Sequence, residues 1–234
     1  TGVILKAAKW IDRKRRKTLK EEPCHRGLLP AGFSAEHLGP NDFYYWDDFW
    51  GAAGLRAAES IFRRRNKTEL ATEVADMAAG FEKDILATID GLRPDRVGEA
   101  IPAAPTRRMD SGAIGSMVAD YPLELDWIPK QRIQATADWL LEHSLHKGGF
   151  FQNMIHSGIN AYLTLDLAQT MLRLKDSRYW DLIEATAQAA SPTGKWPEAV
   201  HPNTEGGCMG DGEHAWAAAE WCQMIRALFI EETD

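Results

Sequence analysis

The chain has 234 residues, 44% of them apolar, and a net charge of -7. That length fits one large domain or two small ones, with enough apolar residues to bury a core. The acidic balance speaks against general nucleic-acid affinity, no apolar run is long enough to span a bilayer, and Cys24, Cys208 and Cys222 match neither a disulfide framework nor a zinc module.

Residues 2–22 read as a helix with Val3, Ile4, Ala7, Ala8 and Ile11 on one side, running into the basic stretch Arg13 to Lys17. In an acidic chain such a stretch reads as a solvated helix end, so neither nucleic acid nor membrane is expected as a partner. The chain opens on Thr1 without a basic-then-apolar leader, which reads as a fragment or a processed form. Residues 23–41 form a loop rich in Pro and Gly. Asn41 to Trp50 then opens a helix reaching about Arg65.

Residues 67–90 are the cleanest amphipathic helix: Leu70, Val74, Met77, Phe81 and Ile85 recur at steps of three and four. A second loop, 91–109, leads to a short apolar helix from Ala113 to about Asp120. Residues 130–144 are amphipathic again. A third loop, 145–157, leads to a helix over 159–174 that is apolar almost all round. A short amphipathic helix covers 178–190. A fourth loop, 191–211, precedes a last helix over 213–230, apolar round most of its circumference. No stretch alternates with period two, so the fold class read from the sequence is all-α.

One-sided helices alternate with helices that are apolar all round. The latter are buried on all sides, which predicts amphipathic helices outside and apolar ones inside. Loops that run from an outer to an inner helix are long, roughly 13–21 residues, whereas most of the returns are short. In an up-down array the long loops then share one rim, at the N-termini of the inner helices, where free N–H groups and the helix dipole gather.

The fourth loop holds Trp196-Pro197-Glu198, with Gly206-Gly207 and Gly210-Asp211-Gly212 close behind. A carboxylate on stiff backbone suits a group that must be aimed, and loops on a rigid scaffold are where binding and catalytic residues concentrate. The glycines follow no strand, so a dinucleotide loop is unsupported; they let backbone approach a ligand. His201, Glu205, Asp211 and His214 show no standard metal spacing, and no metal or cofactor is expected.

Four motifs carry a family resemblance: Tyr45-Trp46-Asp47-Asp48-Phe49-Trp50; Ile101-Pro102-Ala103 through Asp110-Ser111-Gly112 to Ser116; Gly149 to Gln152 with His156 to Asn160; and Trp196-Pro197-Glu198 through Gly212. Their order in successive long loops resembles the six-hairpin glycosidases, the (α/α) toroids that include glucoamylases, trehalases and processing glucosidases. The resemblance implies an (α/α) toroid of alternating outer and inner helices. It also implies inverting hydrolysis of a glycosidic bond in an oligosaccharide or glycan by two carboxylates. This sequence shows four outer–inner pairs where the family has six. That makes residues 1–234 a single helical-toroid domain corresponding to the C-terminal part of a larger one, or an open toroid.

Under this resemblance Glu198 is the general base, and Asp48 or Asp47 is the general acid, kept protonated by Tyr45, Trp46, Phe49 and Trp50. The alternative for the two Asp is a helix cap; a metal-dependent cyclase motif would need a third Asp where Gly51 stands. In a six-fold ring the two loops face each other, and inverting chemistry wants carboxyls roughly 6.5–9.5 Å apart. Trp46, Trp50 and Trp196 are candidates for stacking on sugar rings, with core packing as the other reading. Asp110 and Asp211 read first as N-caps and second as sugar ligands, His156 as a hydrogen-bonded rim residue, His156 and His201 as substrate-binding candidates, and Glu99 as a reserve acid. Two other functions fit the same pattern. One is a sugar epimerase or lyase on a similar toroid, in which a His or Tyr takes the proton and His156 or His201 matters most. The other is a carbohydrate-binding fragment without catalysis.

Overall fold

In the computed structural model, residues 1–34, 38–154 and 157–230 are described. Helices dominate: α1 Gly2–Arg15, α2 Tyr45–Arg64, α3 Thr68–Asp90, the single turn α4 Pro94–Val97, α5 Lys130–His143, α6 Ala161–Arg173, α7 Tyr179–Gln188 and α8 Ala215–Ala227. Between α4 and α5 lies a nine-residue 3-10 helix, Ser111–Ala119.

α2 packs on the 111–119 helix, that helix on α6, and α6 on α8. Against this row lie α1 and α3 on α2, α5 on the 111–119 helix, and α7 on α6. The two middle members of the row are enclosed. Every residue of the 111–119 helix is buried, and from Ala161 to Met171 only Asp166 on α6 is not. Close approach is built in there, since a Cβ at Gly115 would stand 2.1 Å from the Leu38 side chain.

Two expectations need correction. The chain is not all-α. Five short antiparallel strands pair in chain order: β1 Leu145–His146, β2 Gly149–Gln152, β3 Gly158–Ile159, β4 Ala199–Val200 and β5 Gly207–Met209. They arise because the third and fourth long loops lie side by side, and their backbone groups satisfy one another. Strands of two to four residues are too short to print a period-two pattern.

The second correction is α8. Only Ala217 and Met224 are buried on it, and Ala215, Ala218, Ala219 and Cys222 are exposed. α2 also has an open side, with Trp50 42% exposed and Gly54 and Ala57 exposed. The end members of the row are therefore half covered, unlike the middle ones. The predicted 2–22 helix also stops early, giving way after Arg15 to a 3-10 turn over Arg16–Thr18.

Candidate functional site

The first turn of α2 sorts its two acids by helical phase. Tyr45 and Phe49 face the core with stacked rings 5.8 Å apart, and Asp48 lies on the buried side with them. Asp48 is fully buried and accepts the Leu29 N–H at 2.7 Å. Its other oxygen is buried without a hydrogen-bond partner among the described residues. Burial pushes its carboxyl well above the ordinary value, against the Leu29 bond that lowers it. A carboxyl with no exposed surface meets no substrate, so Asp48 is corrected from candidate acid to a residue that ties the first long loop to α2.

Asp47 points the other way. It is half-buried, and loss of hydration raises its carboxyl from 3.8 to about 6. Trp46 precedes it and Trp50 lies one helical turn beyond Trp46, with the two ring centroids 5.8 Å from each other. Trp50 is the more open of the two indoles.

At the fourth loop, Trp196 proves to be a core residue. It is 5% exposed, its indole N–H donates to the Thr186 carbonyl at 2.9 Å, and its ring lies 5.4 Å from that of Trp221. It offers no face to a sugar. Its carbonyl accepts the His214 N–H at 2.8 Å, which ties the loop to the start of α8.

Glu198 follows, half-buried, and its N–H donates to the Met209 carbonyl at 3.2 Å. The β4–β5 hairpin thus fixes its backbone. Gly210 has φ +71°, and a Cβ there would stand 3.3 Å from the Glu198 Cβ. Glycine is what lets the strand return so close to the carboxylate.

The remaining polar candidates are partly committed to backbone. Asp110 caps the 111–119 helix by accepting the Gly112 N–H at 2.9 Å, and its second oxygen meets Arg107 at 2.6 Å. Asp211 is exposed and accepts the Glu213 N–H at 2.9 Å. His201 Nδ1 accepts the N–H groups of Asn203 and Thr204, each at 3.2 Å, which closes its turn. His156 lies outside the described residues.

A cluster on the row of packed helices escaped the sequence reading. The Tyr121 hydroxyl donates to Glu220 Oε2 at 2.7 Å, and the Trp216 indole N–H donates to Oε1 at 3.2 Å. Burial and the neighbouring Glu220 raise the Tyr121 phenol. Tyr121 lines a small cavity with Trp46 of α2 and with Leu163 and Asp166 of α6. The Trp216/Glu220 spacing of four was the available signal, hidden in a helix read as apolar.

The large cleft, 560 Å³ in volume, lies elsewhere on the rim, between the second and third long loops. Asp110 lines it, with Arg107, Arg108, Trp139, His143 and Phe151 among its other walls. Neither Glu198 nor Asp47 lines this cleft, the Trp46 cavity, or a 380 Å³ groove beside α7.

No family model, curated protein or solved structure matches the chain. Function must therefore be argued from the side chains. Among the described residues no group of three or more His, Cys, Asp or Glu is placed to hold a metal ion. No helix among them is long and apolar enough to cross a membrane. What the arrangement offers is a raised carboxyl beside two indoles and a second carboxylate aimed by a hairpin. Neighbours of each lead towards α6: Trp46, next to Asp47 in sequence, lines a cavity with Leu163 and Asp166, and β4, which follows Glu198, pairs with β3, which leads into α6.

Proposed function

We propose that the chain is an inverting glycoside hydrolase acting on an oligosaccharide or glycan, with Asp47 as general acid and Glu198 as general base. The observation that carries this reading is Asp47: a half-buried carboxyl raised to about 6 by burial, accessible, on the same helical turn as the paired indoles of Trp46 and Trp50. A general acid has to hold its proton near neutral pH and still reach a leaving oxygen. Asp47 holds its proton up to about pH 6, well beyond an ordinary carboxyl, and keeps part of its surface exposed, whereas Asp48 is sealed from substrate. Trp50, the open indole, gives the C–H face of a sugar something to pack on. Glu198, in the loop before the last helix, has its backbone fixed by the β4–β5 hairpin, which supports its role as base in this reading. The order of packed helices supports an open (α/α) toroid, in which α2 and α8 are the two free ends.

Three steps follow from these roles. Asp47 gives its proton to the glycosidic oxygen as the bond to the anomeric carbon breaks. Glu198 takes a proton from a water attacking that carbon from the opposite face. The product leaves with inverted configuration.

The test is hydrolysis of a panel of oligosaccharides by the full chain, by Asp47→Asn and by Glu198→Gln, read as release of reducing sugar. Loss of activity by 10³-fold or more in both variants, with unchanged circular dichroism, is the expected result. Activity retained in either variant would sink the assignment of that residue. A second reading, carbohydrate binding without catalysis, is favoured by one observation: the large cleft lies away from both carboxylates. It predicts binding with no release of sugar by the unaltered chain. The lyase alternative loses its His201 base, because Nδ1 is already engaged by two backbone N–H groups.

A further inference from the structure

The 560 Å³ rim cleft is within the size range of small-molecule sites, about 300–1,000 Å³. Its charge runs against that of the chain. The fixed charges on its walls are Arg107, Arg108 and Asp110, so one cation is in excess where the whole protein carries -7. Arg107 is held in place: it bonds Asp110 at 2.6 Å, the Leu38 carbonyl at 3.1 Å and the Tyr44 hydroxyl at 3.2 Å. It therefore shapes the wall and neutralises the one carboxylate there. Arg108 is exposed and makes no hydrogen bond or ion pair among the described residues.

Two imidazoles also line the cleft. His143 lies flat on Trp139, centroids 4.6 Å apart, and His146 lies 6.0 Å from Phe151. Each imidazole is thus carried on an aromatic ring that forms the apolar part of the wall. The Ser111 hydroxyl, which accepts the Asn153 N–H at 3.2 Å, keeps its own proton to donate.

We propose that this cleft binds an anionic group carried on a sugar ring. The Arg108 guanidinium pairs with the anion, and the Trp139 and Phe151 side of the wall meets the ring. A free guanidinium presents a planar fork that matches carboxylate and phosphate oxygens alike. The shared chemistry is therefore a sugar bearing either a carboxylate or a phosphate. The sugar half of this proposal rests on the carbohydrate reading above; the anionic half rests on the cleft alone.

Isothermal titration calorimetry on the full chain tests it with four probes: glucuronic acid, glucose 6-phosphate, glucose and inorganic phosphate. The expected result is saturable binding of at least one anionic sugar, with glucose and inorganic phosphate each at least tenfold weaker. Preference between the two anionic sugars identifies the source of the anion. Arg108→Ala lowers that affinity at least tenfold, and Arg108→Lys recovers part of it. Because Arg108 is exposed and makes no pair among the described residues, both variants fold, which thermal melts check. Equal binding of glucose, equal binding of inorganic phosphate, no saturable binding, or an affinity unchanged in Arg108→Ala would each overturn the proposal. Glu198→Gln is included to separate the two assignments. It keeps this binding, so a failure of the hydrolase reading shows in the hydrolysis assay and not here.

Discussion

Asp47→Asn gives the sharpest test of the candidate acid, because stability and activity must move in opposite directions. The folded chain holds the Asp47 proton up to about pH 6, whereas the ordinary carboxyl releases it at 3.8. A gap of about 2 pH units is worth about 3 kcal/mol at 1.36 kcal/mol per unit. Asp47 keeps part of its surface in water, and solvent screening cuts this to about 1–2 kcal/mol. The sign follows from linkage. Below about pH 4 folded and unfolded chains both carry the proton, and the wild type suffers no penalty. Between about pH 4 and 6 the unfolded chain ionises first, so the folded state loses stability. Above about pH 6 the loss is complete. Asparagine never ionises and escapes it.

Urea unfolding of both proteins at pH 4, 5, 6 and 7.5 reads the difference, and other titrating groups cancel between them. The stability of Asp47→Asn relative to wild type should rise by about 1–2 kcal/mol from pH 4 to 7.5, while hydrolysis is lost. Such a trade of function for stability is common where a site holds a group against its solvation preference. A difference that stays constant with pH, or that turns in favour of the wild type as pH rises, would refute the argument that burial holds this proton.

Three other substitutions probe the surroundings of the site. Asp48→Ala leaves the Leu29 N–H without its acceptor and should cost about 1–3 kcal/mol, whereas Asp48→Asn keeps an acceptor oxygen and should cost less than half as much; equal losses, read by urea unfolding, would contradict the buried hydrogen bond. Gly115→Ala drives a methyl into Leu38 and should destabilise by about 1–3 kcal/mol, seen as a fall in Tm, with a neutral result excluding the close approach. Trp196→Phe keeps a ring beside Trp221 but removes the donor to Thr186, and should cost about 1–3 kcal/mol with no change in sugar affinity; a loss of affinity at unchanged stability would restore Trp196 as a ligand residue.

How far the sequence could be read depends on the length of the signal. α3 was legible because its pattern runs for six turns: Val74, Phe81 and Ile85 are buried, and Leu70 and Met77 pack against the core. The order of long loops was legible because proline and glycine mark them. The sheet was not, since its pairing depends on two loops meeting in space. Asp47 and Asp48 looked equivalent as a dipeptide, but helical phase separates them by about 100°, enough to put one in the core and leave the other accessible. The exposed side of α8 was misread for a different reason. Alanine counts as apolar in a pattern yet loses little by facing water, so Ala215, Ala218 and Ala219 say nothing about what covers them. Trp196 shows the same limit from the other side: an indole beside a carboxylate in a loop looked like a sugar platform, and the carbonyl of Thr186 had already claimed it.

The tie between the Trp196 carbonyl and the His214 N–H joins the loop of Glu198 to a helix with only two buried residues. Local opening begins where few apolar contacts resist it, and α8, with two buried residues, is such a place. Each time its first turn frays, the backbone that aims Glu198 loses an anchor. Ligand held by Glu198 would draw the same balance the other way, since whatever binds only the ordered loop also favours the docked helix. Occupancy of the carboxylate and docking of the last helix are then one equilibrium seen from two ends.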